Sequence, residues 1–175
     1  VKLGLPRENI WVTDLAGVVY EGRTELMDED KIFFAQKTTH RTLADVIAGA
    51  DVFLGLSAAG VLKKQMVASM NPNPMIFALA NPTPEIHPEE VLEVRSDALI
   101  ATGRTDYPNQ INNVLCFPYI FRGALDSGAT TITAEMEIAA VHAIAELAQA
   151  EQSEVVAAAY VGVSLSFGRD YLIPK

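Results

Sequence analysis

Residues 77–85 read Phe77-Ala-Leu-Ala-Asn-Pro-Thr-Pro-Glu85, an apolar run that breaks abruptly into an amide and two prolines. A second stretch, Ala101-Thr-Gly-Arg-Thr-Asp-Tyr-Pro-Asn-Gln-Ile-Asn-Asn113, follows the same plan. Each apolar run is typical of a buried strand, and the polar residues after it are typical of a strand end. Ligands of open α/β sheets bind just beyond the carboxyl ends of parallel strands. The pattern therefore puts Asn81 and Asn113 where a small polar ligand would be held.

Strands alternate with helices through most of the chain. The sequence predicts strands at 8–14, 51–57, 75–80 and 97–102, and helices at 28–36, 42–48, 62–70, from 88 onward, 112–125, 131–150 and 153–160. Alternation at this spacing indicates an α/β fold, with a Rossmann-like parallel sheet that has helices on both faces. Pro118 is expected to kink its helix because proline removes a backbone hydrogen bond. Residues 168–174 are expected to form an irregular tail.

The glycine fingerprint G-x-G-x-x-G of dinucleotide-binding sheets does not occur in this sequence. The order of elements still fits such a sheet if 8–14 is its second strand and the first strand lies upstream. A gap beside 51–57 is then expected. The chain starts at Val1, and we expect it to be a piece of a longer protein; a processed N-terminus is the alternative. We expect 1–152 to be a partial dinucleotide-binding domain and 153–175 to be a C-terminal helix and tail.

Composition excludes several classes of protein. The chain has 175 residues and a formal net charge of −9, which would repel nucleic acid. Cys116 is the single cysteine, so there is no internal disulfide, and a reducing cytoplasm is indicated. No apolar run approaches the roughly 18–20 residues that span a bilayer. The three histidines have no metal-ligand spacing.

Two segments could contact a nucleotide. An acid at the tip of the second strand, here Asp14, accepts hydrogen bonds from an adenosine ribose, although a turn aspartate that caps the next loop is an equal alternative. Gly55-Leu-Ser-Ala-Ala-Gly60 ends the next strand, and its glycines permit close approach of a ligand. Ser57 could donate a hydrogen bond to a phosphate or a ribose, and Ala58 in the same turn is also predicted to contact the cofactor. An ordinary structural turn remains the alternative for this segment.

The asparagines offer both a donor and an acceptor, which suits a carboxylate, a hydroxyl or a carboxamide. Asn81 precedes Pro82, so a turn asparagine is the alternative interpretation. Asn112 and Asn113 start a predicted helix, where an asparagine is often only an N-cap, although an anion also binds well at a helix N-terminus.

The blocks at 77–85 and 101–113 together resemble the NAD(P)-binding domain of bacterial malic enzymes, and the similarity extends from about Leu5 to the tail. That family oxidises and decarboxylates malate to pyruvate and CO2 while reducing NAD or NADP, with Mg²⁺ or Mn²⁺ as Lewis acid. The resemblance implies that Asp14 contacts the adenosine ribose and that Lys31 lies where NADP-dependent members place a cation, although a solvated helix lysine is the alternative interpretation for Lys31. It also implies that Asn81 and Asn113 contact the dicarboxylate, with Asn112 as the fallback.

The resemblance also limits what the chain can do. The family's catalytic tyrosine and lysine and its three carboxylate metal ligands would lie before Val1, so no catalytic or metal-binding residue is assigned here. We expect the isolated chain to be inactive, and its parent to be a cytoplasmic homo-oligomer. Cofactor preference stays open, because Asp14 favours NAD and Lys31 favours NADP. The alternatives are a non-catalytic nucleotide-binding or interaction module, or the cofactor domain of another dehydrogenase.

Overall fold

The structure is a computed structural model that describes residues 1–151, 154–160 and 165–174. A short antiparallel hairpin pairs β1 (Thr13–Asp14) with β2 (Gly17–Val18). The main sheet is parallel, in the order β3 (Val52–Gly55), β4 (Met75–Ala78) and β5 (Leu99–Thr102). The helices are α1 (Glu29–Phe34), α2 (Leu43–Ile47), α3 (Lys64–Ala68), α4 (Pro88–Val94), α5 (Tyr119–Asp126), α6 (Ala134–Gln149) and α7 (Glu154–Ala159).

Local sequence signals account for the starts of three of these helices. Asp28 caps α1 by accepting from the backbone N–H of Lys31, and Thr42 and Asp45 form a reciprocal capping box at α2. Pro88 occupies the first turn of α4, where its missing N–H removes no helical bond. The parallel order of β3, β4 and β5 and the helices between them confirm the predicted α/β fold with a parallel sheet flanked by helices.

The hydrophobic core lies between the parallel sheet and the helices α2, α3 and α4. Alternate residues of the strands point into it, including Phe53 and Ile76. Its buried members are Ile47, Phe53, Leu62, Val67, Met70, Ile76, Ala78, Ile86, Val91 and Ala98. This core fixes the strand ends relative to one another, and the candidate site is built on those ends.

The strand predicted at 8–14 is wrong in extent and in pairing. Arg7–Asn9 forms a 3-10 helix, and only Thr13 and Asp14 pair, in the antiparallel hairpin with β2. The turn at residues 15–16 reverses the chain into Gly17, the first residue of β2. Gly17 has a φ of 91°, and a Cβ on it would lie 2.0 Å from the Arg41 carbonyl oxygen. Because the chain folds back here, the segment joins its own continuation and is not a strand of the parallel sheet.

Strand β3 lies at the edge of the parallel sheet, as the gap expected beside 51–57 requires. Its residues alternate in burial: Phe53 is 8% exposed, whereas Val52 and Leu54 are 47% and 58% exposed. The full burial that an apolar parallel strand indicates is thus not reached at β3.

The helix predicted at 112–125 is two separate elements. A 3-10 helix spans Asn113–Leu115, and α5 begins only after Pro118. Proline has no backbone N–H to continue the first helix, so the helix breaks where a kink was expected.

The last predicted helix, 153–160, corresponds to α7, which begins at Glu154. Its predicted first residue, Ser153, lies outside the described residues. Within the described ranges, no helix has the length and apolarity that a membrane span requires.

Candidate functional site

The three parallel strands end in one row. Gly55 pairs with Ala78, and Ala78 pairs with Thr102, and these are the last pairs of their ladders. The segments that follow therefore leave the sheet side by side at its carboxyl edge. In open α/β sheets this edge is where ligands bind.

Asp14 is part of a charged cluster at the hairpin. Its side chain is 19% exposed and lies 2.5 Å from the Arg23 guanidinium and 3.0 Å from the Lys31 ammonium. The backbone N–H of Ala16 donates to its other oxygen at 2.9 Å. Burial acts to raise the pKa of Asp14, but the hydrogen bonds from Arg23, Lys31 and Ala16 together hold that pKa below its ordinary value. Asp14 is therefore an anion whose charge is already paired.

Lys31 joins the same cluster from the first turn of α1. Its Nζ donates to the Leu26 carbonyl at 2.6 Å and lies 3.8 Å from the Asp28 carboxylate, outside hydrogen-bond range. A lysine ammonium has three N–H groups, and Asp14 and Leu26 take two of them. The structure thus brings together the two residues that were predicted to contact the adenosine end of a cofactor.

The loop after β3 contains the predicted Ser57 and Ala58, and both are exposed. The backbone N–H of Ser57 donates to the Glu85 carboxylate at 2.8 Å, which leaves the Ser57 hydroxyl without a described partner. Gly60 has a φ of 69°, a conformation that glycine adopts without strain. This loop is therefore shaped by its backbone, and its small side chains leave the adjoining space open.

Asn81 follows β4 by three residues and is exposed. Its side-chain amide has no hydrogen-bond partner among the residues that the structure describes. The neighbouring Ala80 N–H donates to Glu85 at 3.0 Å, so the backbone beside Asn81 is held while its amide is not. Such an amide is available to a ligand.

The chain returns to the end of β5 before it reaches Asn112 and Asn113. Gln110 forms a parallel bridge with Thr102, and the Ile111 N–H donates to the Thr102 carbonyl at 2.7 Å. Asn112 then caps the 3-10 helix by accepting from the Val114 N–H, so its acceptor is used. Asn113 begins that helix, is exposed, and its amide has no partner in the described part of the chain.

Sequence reasoning missed three buried polar residues that hold the strand-end loops or the hairpin in place. Glu85 is fully buried, Arg23 is 7% exposed and Asn109 is 3% exposed. Arg23 donates to the carbonyls of Gly17, Val18 and Glu25 as well as to Asp14, so it fixes the hairpin. In the sequence, Glu85 is a charged residue after prolines, Arg23 follows a glycine, and Asn109 lies in a polar run. None of these three patterns distinguishes a buried residue from an exposed one.

Asn109 joins the strand-end loop to the C-terminal tail. Its amide donates to the carbonyls of Ile100 and Arg169 at 3.1 and 2.8 Å and accepts from the Leu172 N–H at 2.7 Å. The tail beyond Leu165 and the loop at 105–108 line a cleft of about 530 Å³, which includes none of the predicted site residues. The tail thus supports the segment that leads to Asn112 and Asn113.

The described residues contain no group of three His, Cys, Asp or Glu side chains that could hold a metal ion. These residues therefore offer no carboxylate cluster that fits a Mg²⁺ or Mn²⁺ ion. A nicotinamide dinucleotide is different, because a Cβ at Gly60 would meet no atom within 4 Å and the Asp14–Lys31 cluster offers polar groups that such a ligand uses. Gly55, in contrast, packs against the Glu85 carboxylate, so the close approach to a ligand that was expected at Gly55 is wrong.

Comparison with known proteins shows strong similarity to one family. Residues 5–160 match the family model described as "Malic enzyme, NAD binding domain". An NAD-dependent malic enzyme of Rhizobium meliloti (strain 1021) is 63% identical over 175 residues, which is 100% of this chain and 23% of the relative. An NADP-dependent malic enzyme of Escherichia coli (strain K12) is 61% identical over 176 residues, again covering 100% of this chain and 23% of the relative. The crystal structure of Entamoeba histolytica malic enzyme superposes with a TM-score of 0.80 at 33% identity, covering 99% of this chain and 35% of that one. The chain thus spans about a quarter of the length of these two curated relatives.

Proposed function

Because this chain belongs to the malic enzyme family and carries its NAD-binding domain, we propose that it supplies cofactor and substrate contacts to a longer enzyme. That enzyme would oxidise and decarboxylate (S)-malate to pyruvate and CO2. The nicotinamide cofactor, when bound, accepts the hydride. Asp14, Lys31, Ser57 and Ala58 would hold the cofactor.

The observation that carries this proposal is the common end of the three strands. Asn81 lies three residues after the end of β4. Asn113 lies two residues after Ile111, whose N–H donates to the carbonyl of Thr102 at the end of β5. Since these strands are neighbours in register, the segments that carry the two asparagines leave the sheet at the same edge, which supports a shared site. We propose that Asn81 and Asn113 hold the carboxylate or hydroxyl oxygens of malate there, and that Asn81 also contacts the cofactor. Asn112, whose acceptor already serves the cap, is the fallback.

The direct test is malate-dependent reduction of NAD(P)⁺ by the complete protein that carries this chain. We expect the complete enzyme to form reduced nicotinamide and pyruvate in equal amounts in the presence of Mg²⁺ or Mn²⁺. The 175-residue chain alone is expected to be inactive. A complete protein that reduces the cofactor with another acid and not with malate would contradict the proposal.

We further propose that NADP is the preferred cofactor. An unpaired acid near the ribose repels a 2′-phosphate, but Asp14 is already paired with Arg23 and Lys31. Lys31 keeps one N–H beyond its contacts with Asp14 and Leu26, and a phosphate oxygen is a strong acceptor for it. The names of the relatives do not decide between the cofactors, since one above is called NAD-dependent and the other NADP-dependent.

Lys31→Ala is expected to raise the KM for NADP⁺ by roughly tenfold or more, since a hydrogen bond to a charged group contributes about 1.5–3 kcal/mol. The KM for NAD⁺ should change far less, because NAD⁺ lacks the phosphate. Steady-state kinetics with both cofactors measures the difference. Lys37→Ala, which removes an exposed lysine six residues away, is the matched control. An equal loss with both cofactors would argue against a contact between Lys31 and the 2′-phosphate.

The proposed domain organisation covers this chain, and the proposed assembly and location concern the longer protein. We propose a partial Rossmann-like domain over 1–152 and a C-terminal helix and tail over 153–175. We also propose a homo-oligomeric enzyme in the cytoplasm, where a chain with Cys116 as its single cysteine needs no disulfide. The metal would be held by residues outside this chain. Nucleic acid and membranes are not proposed as partners, given the net charge of −9.

A further inference from the structure

Glu85 is a fully buried carboxylate between two strand-end loops. Its Oε1 accepts from the Ser57 N–H at 2.8 Å, in the loop after β3, and its Oε2 accepts from the Ala80 N–H at 3.0 Å, in the loop after β4. No ion pair joins it to a basic side chain in the described ranges. The two carboxylate oxygens thus connect the two loops directly.

The backbone around Glu85 reinforces this connection. The Leu62 N–H donates to the Glu85 carbonyl at 3.1 Å, and the Gly60 N–H donates to the Pro84 carbonyl at 3.2 Å. Of these four hydrogen bonds, three join residues 84–85 to the segment 57–62 after β3, and one joins Glu85 to Ala80 after β4. They hold the loop that carries Ser57 against the turn that carries Asn81.

Stability alone does not explain a carboxylate at this position. Burying a charge that only backbone dipoles compensate is costly, and an apolar side chain of similar volume is often as stable or more so. A carboxylate does have one property that an amide lacks: both of its oxygens accept hydrogen bonds. A glutamine would place an NH2 group against the N–H of Ser57 or of Ala80, so one of the two loops would be released.

We propose that Glu85 is a positioning residue, whose two oxygens set the separation of the loop at Ser57 and the turn at Asn81 so that both reach one bound cofactor–substrate pair. This inference rests on the proposed function. Glu85 does not touch the ligands itself and acts through these two loops.

The test is Glu85→Gln in the complete enzyme, with malate and NADP⁺ as substrates. We expect kcat/KM for malate to fall at least tenfold and the dissociation constant for NADP⁺, measured by calorimetry, to rise at least threefold. Glu85→Asp, which keeps two acceptors on a shorter side chain, should recover part of this loss. Arg95→Gln is the matched control, because Arg95 donates to the carbonyls of Met70 and Asn71 before β4, at the opposite edge of the sheet. Arg95→Gln should lower the Tm and leave kcat/KM for malate and the dissociation constant for NADP⁺ within about twofold of the wild-type values.

The outcomes separate the two proposals. Wild-type enzyme that does not turn over malate overturns the proposed function, and the role of Glu85 falls with it. Active wild type with unchanged kinetics in Glu85→Gln, or with the same kinetic change in Glu85→Gln and Arg95→Gln, overturns the positioning role alone. If both Glu85 variants fail to fold while Arg95→Gln folds, the carboxylate serves folding and the inference is wrong.

Discussion

Asn113→Ala is expected to abolish most malate turnover while leaving cofactor affinity intact. The Asn113 amide is exposed, begins a 3-10 helix and has no hydrogen-bond partner in the described part of the chain. A hydrogen bond from such an amide to a substrate carboxylate contributes about 1.5–3 kcal/mol, so kcat/KM for malate should fall by roughly 10- to 100-fold. The measurement is steady-state kinetics of the complete enzyme over a range of malate concentrations, with the cofactor dissociation constant determined separately.

The neighbouring Asn112 provides the matched control. Its side chain accepts from the Val114 N–H, so Asn112→Ala removes a cap and should lower the Tm, with a smaller effect on malate kinetics. A result with the two phenotypes exchanged would assign the substrate contact to Asn112. Asn81→Ala is expected to reproduce the kinetic loss of Asn113→Ala. Normal turnover in both the Asn81 and Asn113 variants would remove the basis for a dicarboxylate site at this edge.

The parallel sheet could be predicted because its signals are local. Apolar runs that stop at an amide or a glycine mark β3, β4 and β5. The cap at Thr42 marks α2 ahead of β3, and Pro88 marks the first turn of α4 between β4 and β5. The hairpin at residues 13–18 could not be predicted in this way. Its pairing depends on Gly17, whose backbone lies against the Arg41 carbonyl, and that contact joins residues far apart in sequence.

The candidate site divides along the same line. The position of exposed polar residues at strand ends, such as Asn81, can be predicted because the carboxyl edges of α/β sheets have a recognisable place in the sequence. The buried groups that hold those ends were missed. Glu85 and Asn109 act through hydrogen bonds to backbone atoms of other segments, and nothing in their immediate sequence indicates those partners. The same is true of Arg23, which pairs the charge of Asp14 and so changes its electrostatic role.

Gly55→Ala is expected to have the largest effect on stability of any single methyl addition in the sheet. A Cβ at Gly55 would lie 2.5 Å from the Glu85 Cδ and 2.7 and 2.8 Å from its two oxygens. The carboxylate cannot yield without releasing the N–H groups of Ser57 and Ala80, which it binds inside the protein. Overpacking and a lost buried hydrogen bond each cost about 1–3 kcal/mol, so we expect the free energy of unfolding to fall by about 3 kcal/mol or more. Urea denaturation of the complete enzyme, followed by fluorescence, measures this change.

Gly103→Ala is the matched control for this prediction, because both glycines lie at the carboxyl end of a strand: Gly55 is the last residue of β3, and Gly103 directly follows β5. Its added Cβ would meet only the Leu79 carbonyl oxygen, at an ordinary 3.7 Å, so its stability should change by less than about 1 kcal/mol. The double variant Gly55→Ala with Glu85→Ala should cost less than the sum of the two single variants, since removal of the Glu85 side chain clears the space that the new methyl group needs. Strict additivity would show that the clash with Glu85 is not the source of the instability, because two residues in direct contact are expected to couple.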